Sequence, residues 1–235
     1  MNGADEMSLR LRGSFRRSLY GCALESSLTS ALELNHKIPD WIRTMPGMSG
    51  RKYRYFINRL VESLADARYL EVGSWMGSSL CSAIWANEVS ATCIDNWSEF
   101  GGPKEDFLKH VCKALNPHVK FKAIERDFRQ VDWSTVGKAN IYFFDGPHSE
   151  SDQYDGIVLA QPALDASYVL IVDDFNWPAV RNGTSRALND LSLAVECSIE
   201  VRSTQNDLHP SYEQSGSSSD WHNGYFIAVV NKASS

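Results

Sequence analysis

Two short runs in the second half of the sequence concentrate groups that bind cations and move protons. They are Phe144-Asp145-Gly146-Pro147-His148 and Ile171-Val172-Asp173-Asp174-Phe175-Asn176. Each follows or ends an apolar segment. If those segments are adjacent strands, Asp145, Asp173 and Asp174 meet at their tips. Carboxylates at close range raise one another's pKa unless a cation intervenes. An all-oxygen set suits a hard ion, Mg2+ above all, with water or substrate oxygens completing the shell. Zinc is disfavoured because no Cys/His set stands nearby in sequence. His148 follows a Gly-Pro turn three residues past Asp145, and an imidazole there suits proton removal at neutral pH. Asp174 as a helix cap or solvent-facing acid, and His148 as an ordinary surface residue, stay open as alternatives.

A second group of residues has the character of a nucleoside site. Glu71-Val72-Gly73-Ser74-Trp75-Met76-Gly77-Ser78-Ser79 lies where a strand is expected to turn into a helix. Gly73 and Gly77, four apart, let the backbone turn tightly and approach a ligand, and Ser74, Ser78 and Ser79 add hydroxyls beside helix N-terminal N–H groups. Asp95 stands 22 residues after Gly73, a spacing at which an acid can accept hydrogen bonds from both ribose hydroxyls. Asp127 and Phe128 are candidates to bond and pack against an adenine. A tight turn that binds nothing and acids that cap helices are the bland readings. The glycine spacing is not G-x-G-x-x-G, and no Tyr-x-x-x-Lys, P-loop, G-x-S-x-G or H-E-x-x-H occurs.

The elements that must position these groups alternate from residue 68 onward. Strands are expected at Tyr69–Gly73, Ala91–Asp95, Val119–Arg126, Asn140–Asp145 and Tyr168–Asp174. Helices are expected at Ser78–Asn87, Lys104–Leu115, Ser151–Leu164 and Thr184–Ala194. That alternation predicts βαβ units and a parallel sheet covered on both faces, with ligands bound beyond the strands' carboxyl ends. Ser198–Arg202 and Tyr225–Val230 read as two strands with no helix between, hence antiparallel. The connection Ser203–His222 is long enough for a lid, with Tyr212, Trp221 and His222 as closing groups, or for an ordinary disordered loop. Residues 1–66 read as helical over Ser8–Leu34 and Lys52–Ala65, with a loop at Met45–Gly50. The expected division is a helical extension or lid at 1–66 and a ligand-binding domain at 67–235.

Composition narrows the function classes. The chain has 235 residues, 43% hydrophobic and 22% charged, ordinary for a globular protein with a sizeable core. Twenty-nine acids against 23 bases give a net charge of −6, which argues against a nucleic-acid partner held by a broad basic surface. No apolar run approaches the roughly 20 residues of a membrane span, and no secretory leader is expected. Five cysteines without a C-x-x-C pair predict a reducing, cytoplasmic setting. Arg10, Arg12, Arg16 and Arg17, and the cluster Arg51, Lys52, Arg54 and Arg59, read as solvated helix faces or as contacts to an acidic acceptor or a partner subunit. A homo-oligomer stays open.

Taken together, E-V-G-S-x-x-G-S-S, the acid ending the second strand, F-D-G-P-H and V-D-D-F-N resemble the class I S-adenosylmethionine-dependent methyltransferases. Within them the chain is similar to the Mg2+-dependent macrocin-type O-methyltransferases, over roughly residues 66–230. The resemblance implies a Rossmann-like, doubly wound α/β sheet of seven strands, mostly parallel with an antiparallel last strand. It implies S-adenosylmethionine as cofactor. Glu71, Gly73 and Ser74 would surround its methionine part, with Asp145 also against it, Asp95 its ribose, and Asp127 and Phe128 its adenine. Asp145, Asp173 and Asp174 would hold Mg2+, and His148 would be the base for a hydroxyl on a small-molecule acceptor such as a sugar or natural product. The segment 1–66 matches no motif of that family. A metal-independent methyltransferase, a non-catalytic S-adenosylmethionine or S-adenosylhomocysteine binder, and a nicotinamide dehydrogenase are the competing readings.

Overall fold

The computed structural model describes residues 7–211 and 216–233. Its strands are β1 (Ser8–Gly13), β2 (Arg68–Val72), β3 (Val89–Asp95), β4 (Val119–Glu125), β5 (Ala139–Phe144), β6 (Leu164–Val172), β7 (Ala194–Arg202) and β8 (Tyr225–Asn231). The helices are α1 (Leu19–Leu32), α2 (Asp40–Thr44), α3 (Arg51–Glu62), α4 (Ser78–Ile84), α5 (Lys104–Ala114), α6 (Glu150–Leu159) and α7 (Pro178–Asp190). All eight strands form one sheet in the order β1-β7-β8-β6-β5-β2-β3-β4. Strands β2 to β6 run parallel, while β8 is antiparallel to both β6 and β7.

The central strands alternate between two apolar layers. Tyr69, Ile141, Phe143, Val169, Ile171, Ile227 and Val229 pack on one side with Leu24 and Leu28 of α1 and Phe56, Ile57 and Leu60 of α3. Leu70, Val72, Tyr142, Phe144, Leu170, Val172 and Val230 pack on the other with Ile157 of α6 and Val180 and Ala187 of α7. Successive strand side chains point to opposite faces, so a strand buried on both sides is apolar throughout. Each fully buried Leu, Ile or Phe contributes about 1.5–3 kcal/mol. Breaking this double layer at Phe143 or Leu170 would therefore cost more than any surface change.

Two expectations are corrected. Ser8–Gly13 is a strand rather than the start of a helix, pairing with β7 from Ser8↔Arg202 to Gly13↔Cys197. The alternation Leu9, Arg10, Leu11, Arg12 has a strand's period of two, and the open edge of β7 supplies its partner. The sheet accordingly has eight strands rather than seven. Helix boundaries also move: α7 starts at Pro178 rather than Thr184, since proline is well suited to a helix's first turn. Neither basic cluster is a solvated helix face throughout. Arg10 and Arg12 lie on β1. Arg54 is fully buried and donates to the carbonyls of Ile42 (2.7 Å) and Met45 (3.0 Å), which fastens the 42–49 segment onto α3.

Strand order reverses at β2 and β5, since β3 and β4 lie to one side of the pair and β6 to the other. Ligands of open α/β sheets bind beyond the carboxyl ends of the strands at such a switch point. The tips are tightly joined there. Asp145 N donates to Val72 O at 2.9 Å. Gly73 has φ +84°, and a Cβ on it would come within 1.8 Å of Asp145 O, so only glycine fits.

Candidate active site

A cleft of about 210 Å3 opens at this switch point. Its walls include Gly73 and Trp75 after β2, Asp95 and Trp97 after β3, Asp127 and Phe128 after β4, and Asp145 and His148 after β5. Met48, from the segment that Arg54 fastens, closes one side.

On the side of the cleft expected to take a nucleoside, Asp95 is held by backbone donors. Its Oδ2 accepts from Ser74 N (2.7 Å) and Trp75 N (2.9 Å), and its Oδ1 from Trp97 N (2.6 Å). Three N–H groups disperse the carboxylate's charge and fix the glycine turn against the tip of β3. Trp75 and Trp97 adopt left-handed backbone (φ +43° and +48°), a conformation that bulky residues hold only when their surroundings enforce it. The Trp97 indole donates to Trp75 O at 3.0 Å, locking the two turns together. Asp127 caps its own short turn by accepting from Arg129 N at 2.9 Å. Phe128 is buried edge-on to Phe144, with ring centroids 5.4 Å apart.

On the opposite side the acids gather as expected, because β5 and β6 are parallel neighbours with Phe144 level with Val172. Asp145, His148 and Asp174 each offer a ligand atom within 4.8 Å of the others. His148 Nε2 lies 3.0 Å from Asp174 Oδ2, a contact that is an ion pair only when the imidazole is protonated. Asp174 has φ +56° and is buried, as is Asp173, whose Oδ1 accepts from Asp174 N at 2.8 Å. The capping box of Ser149 with Asp152 starts α6 immediately after His148 and sets where that imidazole emerges.

The charges on this side are unevenly settled. Burial, then the Asp174 charge, push Asp145 up; burial and the Asp145 and Asp174 charges hold Asp173 well above the carboxylate range. Burial acts upward on Asp174 as well, but contacts with His148, His222 and Asn223 outweigh it and keep Asp174 low. Burial acts downward on His148, and the Asp174 contact outweighs it and raises the imidazole. The arrangement is an ionised Asp174 paired with His148, beside two carboxyls that retain protons or need a cation. Since ionised Asp174 can only accept, His148 Nε2 carries the proton, and the neutral ring's lone pair is on Nδ1.

The remaining expected site residues lie behind the cleft wall. Ser74, Ser78 and Ser79 are buried, and Ser78 Oγ is 2.8 Å from Ser49 Oγ. Gly77, at φ +86°, caps α4 beside Phe107. Glu71 is fully buried and accepts from the Tyr69 hydroxyl at 2.5 Å, and burial pushes its carboxyl up to about 7. Contacts with the hydroxyls of Tyr69, Ser74 and Ser79 act downward on Glu71, and burial outweighs them.

Sequence reasoning missed Trp75, Trp97 and Met48 as walls. An aromatic-rich run after a strand-ending acid, Asn96-Trp97-Ser98-Glu99-Phe100, was the available signal. It also missed Asn223, which donates to Asp174 Oδ1 at 2.7 Å. The lid expectation is corrected at Trp221, which is buried in the core beside Phe56 and Tyr225. His222 is buried against His209, with rings 5.1 Å apart, and Tyr212 falls outside the described residues.

No family model matches this sequence, and no curated protein matches it. In three dimensions it is similar to PH1948 from Pyrococcus horikoshii, a proposed RNA methyltransferase. That match has a TM-score of 0.54 at 12% identity, covering 91% of this chain and 100% of the other. Cofactor-bound Rv0187 from MTB matches with a TM-score of 0.52 at 15% identity, covering 90% and 91%. SMU.776, a proposed methyltransferase solved with S-adenosylhomocysteine, matches at 0.50 and 9%, covering 76% of this chain. The chain spans about half the length of SMU.776 (49%) and of TrmN from Thermus thermophilus (48%). Among the described residues no helix is long and apolar enough to cross a membrane. The architecture at this cleft is the mixed α/β sheet that these methyltransferase structures share.

Proposed function

We propose that this chain is an S-adenosylmethionine-dependent methyltransferase acting on a hydroxyl oxygen of a small molecule, with a divalent cation, Mg2+ first, at Asp145 and Asp174. The observation that carries the reading is that one cleft joins the Gly73, Asp95 and Phe128 side to Asp145 and His148. A nucleoside held at the first set leaves its other end beside the second, where a methyl acceptor would be activated. SMU.776, bound to S-adenosylhomocysteine, supports the choice of cofactor. When bound, that cofactor supplies a methyl group on a sulfonium, open to in-line attack by an oxygen.

Asp95 would accept the ribose hydroxyls through its remaining lone pair or by releasing an N–H of the glycine turn. Phe128 would pack against the adenine, and Glu71, Gly73 and Ser74, with Asp145, would face the methionine part. The donor set at Asp145 and Asp174 fits a hard divalent ion, because two carboxylates lie close together and, among the described residues, no lysine or arginine pairs with them. Asp173, hydrogen-bonded behind Asp174, would back these ligands. Such an ion supplies Lewis acidity that lowers the acceptor hydroxyl's pKa. His148, oriented through Nε2 by Asp174, would take the proton at Nδ1. The expected extension would reach the acceptor side of the cleft through its 42–49 segment, as the Met48 contact supports. An RNA acceptor, the activity proposed for PH1948, is disfavoured by the net charge of −6 and the acidic cleft.

Thermal-shift comparison of S-adenosylhomocysteine with NAD(H) tests the cofactor. Stabilisation by the first alone is expected, and stabilisation by NAD(H) alone would overturn the reading. Transfer to a vicinal-diol acceptor with and without EDTA tests the ion: an unchanged rate removes the metal and leaves the metal-independent alternative.

A further inference from the structure

Two fully buried amides, Asn176 and Asn223, lie between Asp174 and the segment that follows β7. Asn223 Nδ2 donates to Asp174 Oδ1 at 2.7 Å, and Asn176 Nδ2 donates to Asn223 Oδ1 at 2.9 Å. Ser203 N then donates to Asn176 Oδ1 at 3.0 Å. The Ser203 hydroxyl accepts from Asn176 Nδ2 (2.8 Å) and donates to His222 O (2.7 Å).

The polarity of this chain of bonds is fixed independently at both ends. A backbone N–H can only donate, so the Asn176 atom facing Ser203 is the oxygen, and its nitrogen must face Asn223. At the other end an ionised carboxylate can only accept, so the Asn223 atom facing Asp174 is the nitrogen. Both demands give the same orientation for both amides. The space is shaped for it: a Cβ at Gly224 would lie 2.9 Å from Asn176 Oδ1 and 2.5 Å from Val201 O. On the outside, Asp207 pins the same segment through Arg181 (2.8 Å) and Arg202 (2.7 Å).

We propose that Asn176 and Asn223 are positioning residues, a two-amide relay through which the seating of the 203–208 segment sets the Asp174 carboxylate. With Oδ1 occupied by Asn223, Oδ2 is the atom presented to His148 and the cleft. Directly after this segment comes His209, whose ring is 6.2 Å from Trp177, itself 5.1 Å from His148. An acceptor that presses on this segment would therefore be sensed at Asp174. The inference deepens the proposed function and rests on its assignment of Asp174 to the reacting site.

The test uses the intact chain and two readouts that need neither turnover nor metal. They are hydrogen exchange of the 203–208 amides and the imidazole 15N signals of His148. Asn223→Ala, which does not touch 203–208 directly, is expected to speed exchange there roughly threefold to tenfold, the population change one net hydrogen bond governs. Asn176→Asp, isosteric and joined to Asp174 through Asn223, is expected to move the His148 signals. Asp174→Asn keeps an acceptor oxygen for Asn223 and is expected to leave 203–208 exchange within about twofold, well inside the change one hydrogen bond governs. Unchanged exchange in Asn223→Ala, or unmoved His148 signals in Asn176→Asp, would overturn the relay. Should Asn223→Ala fail to fold, Asn176→Asp decides alone. A chain that binds no S-adenosylhomocysteine would sink the proposed function while leaving both readouts intact, so the two failures are distinguishable.

Discussion

Asp95 and Asp174 sit at the tips of strands with two others between them in the sheet, and other parts of the chain hold each of them. Their surroundings differ in kind. Asp95 is met by three backbone N–H groups, which come with the turn geometry and exact no further side chain. Asp174 is met by an imidazole and a buried amide, and two more carboxyls press against it. The nucleoside side is thus settled within its own loops, whereas the acid side is left with negative potential to neutralise. Unpaired buried charge is costly, and a molecule keeps it where a cation or a proton is to be handled. Under the proposed function, the contrast separates a surface that would hold a ligand from one that would act on it.

The largest expected effect falls on the acting side. His148→Ala should cut methyl transfer by about 10²–10⁴-fold while S-adenosylhomocysteine affinity stays within a few-fold, read by steady-state kinetics and calorimetric titration. A loss in affinity equal to the loss in rate would erase the distinction between the two sides.

Glu71 lies between them and offers a pH test. Its folded-state carboxyl titrates at about 7 against an ordinary 4.5, so between those values the folded chain keeps a proton that the unfolded chain has released. Stability should fall as pH rises through this window and level off above it, by at most about 3 kcal/mol. Glu71→Gln should reduce that slope in urea titrations at pH 5, 6 and 7, leaving the part due to Asp145 and Asp173, which burial also pushes up. An unchanged slope would assign all of it to those other groups.

Asp95→Ala strands three N–H groups at once. It should lower stability by about 2 kcal/mol and weaken S-adenosylhomocysteine at least about tenfold, the equivalent of one good contact. Smaller still, Met48→Ala trims one wall and should cost about 1 kcal/mol of binding, with the rate at saturation unchanged.

Much of this was legible in the sequence, for identifiable reasons. The central strands are apolar because both faces are covered, so Asn140–Asp145 and Tyr168–Asp174 were readable as neighbours with acids at their tips. Ser8–Gly13 was not, because a six-residue alternation is short and its partner, β7, lies almost 190 residues away. Asp145 and Asp174 were visible as a motif. The grouping of His148 with them depends on the Gly146-Pro147 turn and the Ser149 cap, which act in three dimensions. Asn223 carries no sequence signal, and Asn176 stands in V-D-D-F-N without a signal for its own role, because an amide's role is set by the groups on either side of it.

A crystal of the chain with S-adenosylhomocysteine and Mn2+, examined for anomalous scattering, bears most directly on the claim that the two sides form a single reacting site. The account predicts a metal peak between Asp145 and Asp174, with the thioether sulfur beside it and the ribose at Asp95. Ligand density in the cleft with the metal peak elsewhere, or the sulfur turned away from Asp145, would contradict it.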